Sequence, residues 1–290
     1  MKKILTILIV FISLFSFTSC DKNTSESIDI ITSCYPIYDF TTRIVGDKLT
    51  VSNLVSPGVE PHDYEPTPKD IANLTEAKLF IINGNGFEHY LNSLPKEMGA
   101  KMVIASANIE PIYSNINKDT VDPHMWLDIS NAITMMENIK NQIIMIDPAN
   151  KEYYEDNFTM NRYLFEGLDA KYKETLTNLK STYLVTSHEA FGYLCKAYGL
   201  NQLPIRGLST EDEPTADDIT RIIKDIAGKN VTTIFYEDLV SDEIAKKIAS
   251  ETGLKCDILY PIEGISKDMG NENYLTLMAK NLVQIQKALA

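Results

Sequence analysis

Short β-rich runs alternating with helical stretches constrain this chain more than any other feature of its sequence. "DIITSCY", "LTVSNLV", "KLFIING" and "KMVIAS" fall before residue 110, and "TYLVTS", "NQLPIRGLS", "VTTIFYEDL" and "KCDILYPI" after residue 180. Strand and helix in alternation predict parallel sheets with helices on both faces. No sequence repeat relates the two groups; they share a pattern only. A length of 290 residues fits two domains better than one core.

The segment 148–180 between them is different in kind. It holds one glycine, Gly167, and no proline after Pro148. Tyr154, Phe158, Phe165, Leu168, Tyr172, Leu176 and Leu179 recur at steps of three, four or seven, which makes one apolar stripe on a helix. Asp147 is the expected N-cap and Pro148 the first helical residue. Some 30 residues would make a rod of roughly 45 Å. The alternative is two shorter helices broken near Gly167. The expected fold class is α/β: two lobes, 29–147 and 181–290, each with a central parallel sheet flanked by helices, joined by one long backbone helix.

At the N-terminus, Lys2 and Lys3 precede an apolar stretch from Ile4 to Phe17, then "TSC" and the polar run "DKNTSES". The stretch is shorter than the about 20 residues that span a bilayer. Its basic start and small-residue exit predict a secretory signal over 1–19. Cys20 at the exit resembles a lipobox cysteine, lipidated to become the mature N-terminus, with residues 20–28 as a flexible tether. Phe17 departs from the usual Leu, and a plain cleaved signal is the alternative. Cys34, Cys195 and Cys256 show no metal-type spacing; they read as buried thiols, with one disulfide among them left open. With 40 Asp+Glu against 27 Lys+Arg, a net charge of −13, nucleic acid is excluded as a partner.

Four histidines are all the chain has. Ligands of doubly wound sheets bind outside the carboxyl ends of the strands, and three of the four fall there. His62 lies in "GVEPHDYEPTPKD", before a helix that Thr67 would cap with Pro68 first and Asp70 third. His124 lies in "VDPHMWLDIS", before a helix striped by Ile129, Ile133, Met136 and Ile143. His188 follows "TYLVTS" in "TSHEAFGYL". A fourth strand end, "ILYPIEGIS", presents Glu263. His89 has no matching position and reads as an ordinary surface residue. Two groups from each half predict a site in the cleft between them. Three imidazoles and a carboxylate make a tetrahedral set for Zn²⁺, and imidazole-rich sites suit Zn²⁺ above Mn²⁺.

"GVEPHDYEPTPKD", "DPHMWLD", "TSHEAFGYL" and "YLTLMAKNL", in that order, resemble the metal-binding lipoproteins of ABC importers for zinc and manganese, over nearly the whole mature chain. The resemblance implies two α/β lobes on one long helix with metal in the cleft. It implies His62, His124 and His188 as ligands, and zinc, since manganese-type relatives usually carry a carboxylate where His188 stands. It implies Glu263 as fourth ligand, with Asp257 and Asp268 poorer fits. It further implies a monomer held outside the cytoplasm by a lipid on Cys20, delivering zinc to an ABC permease and its ATPase. The histidine-rich loop of many zinc members is absent from "IEPIYSNINKDTVDP".

The prolines around His62 present it with little entropy left to lose on binding. Glu60 and Glu65 are candidates to orient its imidazole or to favour a cation; both read equally as solvated. Glu211, Asp212 and Glu213 read as a solvated loop or a docking surface for the permease. A rival reading is a secreted zinc hydrolase, if Glu263 does not ligate and it or Glu189 acts as a base on zinc-bound water. No H-E-x-x-H signature supports that. A manganese-binding relative with an adhesin role is the other alternative. Protonated imidazole cannot ligate, so binding is expected to weaken below about pH 6.

Overall fold

The computed structural model describes residues 28–209 and 214–290. The signal segment, Cys20, the tether to residue 27, and Glu211, Asp212 and Glu213 lie outside the described residues. Each of the eight β-rich runs contains a strand. The first four, β1 (Ile30–Thr32), β2 (Val51–Asn53), β3 (Leu79–Ile82) and β4 (Met102–Ile104), form a parallel sheet in the order β2-β1-β3-β4. The second four, β5 (Tyr183–Thr186), β6 (Asn201–Pro204), β7 (Thr233–Tyr236) and β8 (Lys255–Ile258), repeat that order as β6-β5-β7-β8. Central strands covered on both faces are uniformly buried, as Ile30–Thr32 and Leu79–Ile82 are. In both sheets the order reverses beside the first strand, so β1/β3 and β5/β7 open the crevices where strand ends can hold ligands.

Helices α1 (Tyr35–Val45), α2 (Pro68–Glu76) and α3 (Ile129–Ile146) belong with the first sheet. Helices α5 (Gly192–Tyr198), α6 (Ala216–Ile226), α7 (Glu243–Thr252) and α8 (Tyr274–Leu289) belong with the second. The Thr67 side chain accepts from Asp70 N while Asp70 accepts from Thr67 N, a full capping box with Pro68 at the first helical position, as the sequence predicts.

The helix expected over 148–180 is α4 (Lys151–Thr175), 25 residues and therefore about 38 Å long. Its start differs from expectation. Asp147 is the C-cap of α3 rather than an N-cap of α4, and its carboxylate takes Asn150 Nδ2 at 2.8 Å and Tyr154 OH at 2.5 Å. Pro148 cannot continue α3 and instead begins a single 3-10 turn, Pro148–Asn150, that reverses the chain into α4. The helix stops at Thr175, short of Lys180; Asn178 takes a positive φ of 55° just beyond. No break occurs at Gly167. Tyr154, Phe158, Phe165 and Tyr172 are buried, at steps of four and seven.

That stripe ties both halves together. Phe165 stacks on Tyr274 of α8, centroids 5.1 Å apart, and meets Phe40 of α1 edge-on at 5.9 Å. Tyr172 stacks on Tyr198 of α5 and donates to Met278 O at 2.6 Å. Cys34, Cys195 and Cys256 are free thiols, the first two buried.

Gly167 is exposed in the interior of α4, and a methyl added there meets nothing within 4 Å. Gly167→Ala should therefore stabilise the protein by about 0.5–1 kcal/mol. Urea unfolding checks this, and a destabilised variant would mean that the helix is not continuous there.

Candidate metal centre

Each of the four candidate side chains is aimed by its own local structure. Pro61 opens a 3-10 turn, Pro61–Asp63, and Glu60 at its N-cap accepts from His62 N at 3.2 Å. Downstream, the α2 capping box fixes the other end of the loop, and Tyr64 OH donates to Asp70 at 2.8 Å. The His62 ring packs against Phe87 with centroids 4.9 Å apart.

His124 ends the loop after β4 and is fully buried. Asp122 Oδ1 accepts from both His124 N (2.9 Å) and His124 Nδ1 (2.8 Å). His188 leaves β5 at the second crevice, and its Nδ1 donates to Glu237 Oε1 at 2.5 Å from the end of β7. Glu237 also accepts from Ser187 Oγ. Each Nδ1 proton is thus held by a carboxylate, which leaves Nε2 of both rings free to face the centre.

Glu263 comes from the loop after β8. Trp126 Nε1 donates to Pro261 O at 2.7 Å, and Tyr35 N donates to Glu263 O at 3.0 Å, so both halves hold this loop. Ile262 between them sits at φ 63°, a left-handed conformation costly for a β-branched residue, which turns the Glu263 side chain inward. Gly264 lies against the His62 loop; a methyl there would fall 3.4 Å from both Pro61 Cγ and Val59 O.

The four groups converge. Ligand-type atoms of His62, His124, His188 and Glu263 all lie within 4.8 Å of one another. His62 Nε2 is 3.3 Å from His124 Nε2 and 3.2 Å from Glu263 Oε2. Glu263 Oε1 is 3.0 Å from His124 Nε2 and 3.2 Å from His188 Nε2. A tetrahedron with bonds of about 2.0 Å has edges of about 3.3 Å, close to these four spacings, which run to one or the other oxygen of Glu263. His188 Nε2 and Glu263 Oε1 are buried and face only one another and His124 Nε2, so neither has a partner outside this cluster. The His62 side chain is 11% exposed against 2% or less for the other three, so water reaches the site on its side.

The electrostatics favour a cation. Burial would raise the Glu263 carboxyl, but the charge of His62 and contacts from His124, His188 and His62 hold it well below the usual range. Burial opposes protonation of His124, yet hydrogen bonds to Asp122 and Glu263 and their charges lift it to about 9. His188 is raised well above its ordinary value against the same burial, by Glu237 first and then Glu263. Burial, then the charge of Glu263, pushes Glu60 up to about 8.

Asp122 and Glu237 were not singled out from sequence. Asp122 had a signal, two residues before His124 in "DPH". Glu237 had a weaker one, an acid just past a buried strand in "IFYEDL". Glu65, a candidate partner of His62, lies instead on the surface 3.2 Å from His89. Asp257 is engaged by Lys287 at 2.8 Å, and Asp268 is exposed.

Residues 30–288 match the family model described as zinc-uptake complex component A, periplasmic. The high-affinity zinc uptake system protein ZnuA of Bacillus subtilis is 37% identical over 281 residues, 91% of this chain and 88% of that protein. The zinc-binding lipoprotein AdcA of Streptococcus pneumoniae is 30% identical, over 99% of this chain and 61% of AdcA. Its ZnuA-like domain, solved with Zn(II) bound, superposes with a TM-score of 0.78 at 31% identity, over 90% of this chain and 98% of that one. The laminin-binding protein Lmb of Streptococcus agalactiae, a bifunctional protein with adhesin and metal transporting activity, gives a TM-score of 0.83 at 31% identity, over 90% of this chain and 99% of that one.

The raised imidazoles give a pH dependence with a definite sign. Protons on His124 and His188 at pH 7 must leave when metal binds, so affinity should rise with pH up to about 9 and weaken well before pH 6. For the metal-free fold the sign is opposite. Groups raised on folding contribute stability that is full below about 6.5 and is lost as pH climbs through about 9. Calorimetric titration in buffers of different ionisation enthalpy should detect about two protons released per zinc at pH 7. A heat independent of buffer would contradict this.

Proposed function

This chain belongs to the zinc-uptake complex component A family, and we propose that it captures Zn²⁺ between two lobes through His62, His124, His188 and Glu263. It then hands the ion to an ABC permease powered by its ATPase. The family is the periplasmic component of an uptake complex, which carries a cargo rather than transforming one. The observation that carries the reading is the convergence of three Nε2 atoms and one carboxylate at tetrahedral spacing. Four protein ligands close the shell, as suits a carrier; a catalytic zinc keeps a position open for water.

Two ligands come from a first lobe, 29–147, and two from a second, 181–290. The protein acts as a monomer, held outside the cytoplasm by a lipid on Cys20 at the end of the tether 20–28. Three histidines favour Zn²⁺ over Mn²⁺, which prefers harder carboxylate ligands. Release requires loosening the shell, and the exposed side at His62 is where a docked permease can reach it. The interlocked aromatic stripe of α4 restrains the lobes, so binding involves local adjustment rather than wide closure.

Competitive titration of the stripped mature protein should give one tight zinc equivalent poorly displaced by Mn²⁺. His188→Ala and Glu263→Ala should each weaken zinc by on the order of 100-fold or more, since a lost ligand exceeds the cost of a lost outer partner. Equal or tighter manganese binding would overturn the metal assignment. X-ray scattering should record almost no change in radius of gyration on zinc addition, and a large decrease would exclude the restrained-lobe reading.

A further inference from the structure

The stretch "TSHEAFGYL" supplies His188, but three of its other residues face the opposite half of the molecule. Glu189 is buried, and its carboxylate accepts from Ser114 Oγ at 2.5 Å and Asn115 N at 2.5 Å. The Tyr193 hydroxyl accepts from Ile112 N at 3.0 Å. Gly192 opens α5, and a methyl built on it would fall 2.5 Å from Asp122 Oδ2 and 3.0 Å from Ile112 Cδ1. Carbon and oxygen do not approach so closely, so only glycine leaves room for Asp122 where it stands. Asp122 in turn holds both His124 N and His124 Nδ1.

All these contacts join 112–122, which leads into one candidate ligand, to 189–193, which follows another. We propose that residues 189–193 are a template that positions Asp122, and through it His124, with Gly192 as the positioning residue. His124 and His188 are thereby assembled as one unit across the two halves before metal arrives. The inference rests on the reading of His124 and His188 as zinc ligands and deepens it.

The physical need is specific. A pinned Nδ1 proton fixes both the tautomer of an imidazole and the turn of its ring about the last side-chain bond, and so the aim of Nε2 at a metal. Segment 109–123 cannot pin it unaided, since it has only the bridge between Tyr113 and Val121 and otherwise no strand or helix. Asn83 Nδ2 donates to Pro123 O at 2.9 Å, and the remaining anchors of the segment come from the other half. Beside Asp122 and Gly192 lies a cavity of about 300 Å³, lined also by Tyr113, Glu189 and Gln202. It gives the carboxylate somewhere to go, so an added methyl moves Asp122 rather than α5.

Zinc affinity of the metal-stripped protein, by competition with a chromophoric chelator, tests this in Gly192→Ala, Asp122→Ala, the double variant and His124→Ala. Gly192→Ala and Asp122→Ala should each weaken binding by about 10- to 100-fold, the range for a lost outer partner. The double variant should bind no more weakly than Asp122→Ala, because the methyl then has nothing to displace. Unchanged affinity in Gly192→Ala would overturn the inference, as would an equal loss from the methyl with and without Asp122. His124→Ala separates the two readings. If it leaves affinity unchanged, the ligand set itself fails; if it abolishes tight binding while Gly192→Ala has no effect, only the template fails. Should Gly192→Ala not fold, Tyr193→Phe carries the test. It should cost several-fold in the wild-type background and nothing beside Asp122→Ala, and wild-type affinity in the single variant would overturn the template.

Discussion

A carboxylate with almost no access to water, Glu263, sits among three imidazole nitrogens contributed by both halves of the molecule. Removing such a charge from water is costly unless it is paired, and the partners must then be held against their own tendency to relax away. In the metal-free protein, protons on His124 and His188 do the pairing. In the proposed carrier role a divalent cation would replace those protons and meet the same geometry. The site is therefore an exchange of positive charges at one point, and much of the surrounding structure keeps that point small.

Each of the four proposed ligands is constrained by a different local device. His62 is fixed by prolines and a capping box, His124 by one carboxylate oxygen that takes both its backbone and ring N–H, and His188 by a strand-end carboxylate at the crevice of the second sheet. Glu263 depends on a left-handed Ile262 clamped between Trp126 and Tyr35. Conformational freedom given up on folding is not lost again on binding, which favours tight capture. The same economy makes release a problem for a partner to solve, and the partly exposed His62 is the least enclosed member of the shell.

Restraint extends to the whole molecule through α4. Its aromatic stripe packs on α1 from one half and on α5 and α8 from the other, so relative motion of the halves must break stacked rings and the bond from Tyr172 to Met278. Packed interfaces of this kind tolerate small local shifts far more readily than continuous hinge rotation.

Much of this was determined by the sequence alone. β-rich runs, cap residues and a period-3.6 stripe are local properties of the chain, so the eight strands, the capping box at Thr67 and the long helix were legible. Three histidines and Glu263 were legible as strand-end groups, the last chiefly through family resemblance. Asp147 misled because its local signal suits a cap at either end of a helix, and Pro148 decides between them only once α3 is seen to reach Ile146. Glu65 stayed open between the His62 ring and solvent because proximity along the chain says nothing about direction; it lies on the surface beside His89. What only the tertiary structure decided is which distant residues meet. Glu237 reaches His188 across neighbouring strand ends, Asp122 fits where Gly192 lacks a side chain, and Trp126 bonds a carbonyl 135 positions away. The first arises from strand pairing within one sheet and the other two from the packing of one half against the other, and no local periodicity or spacing encodes any of them.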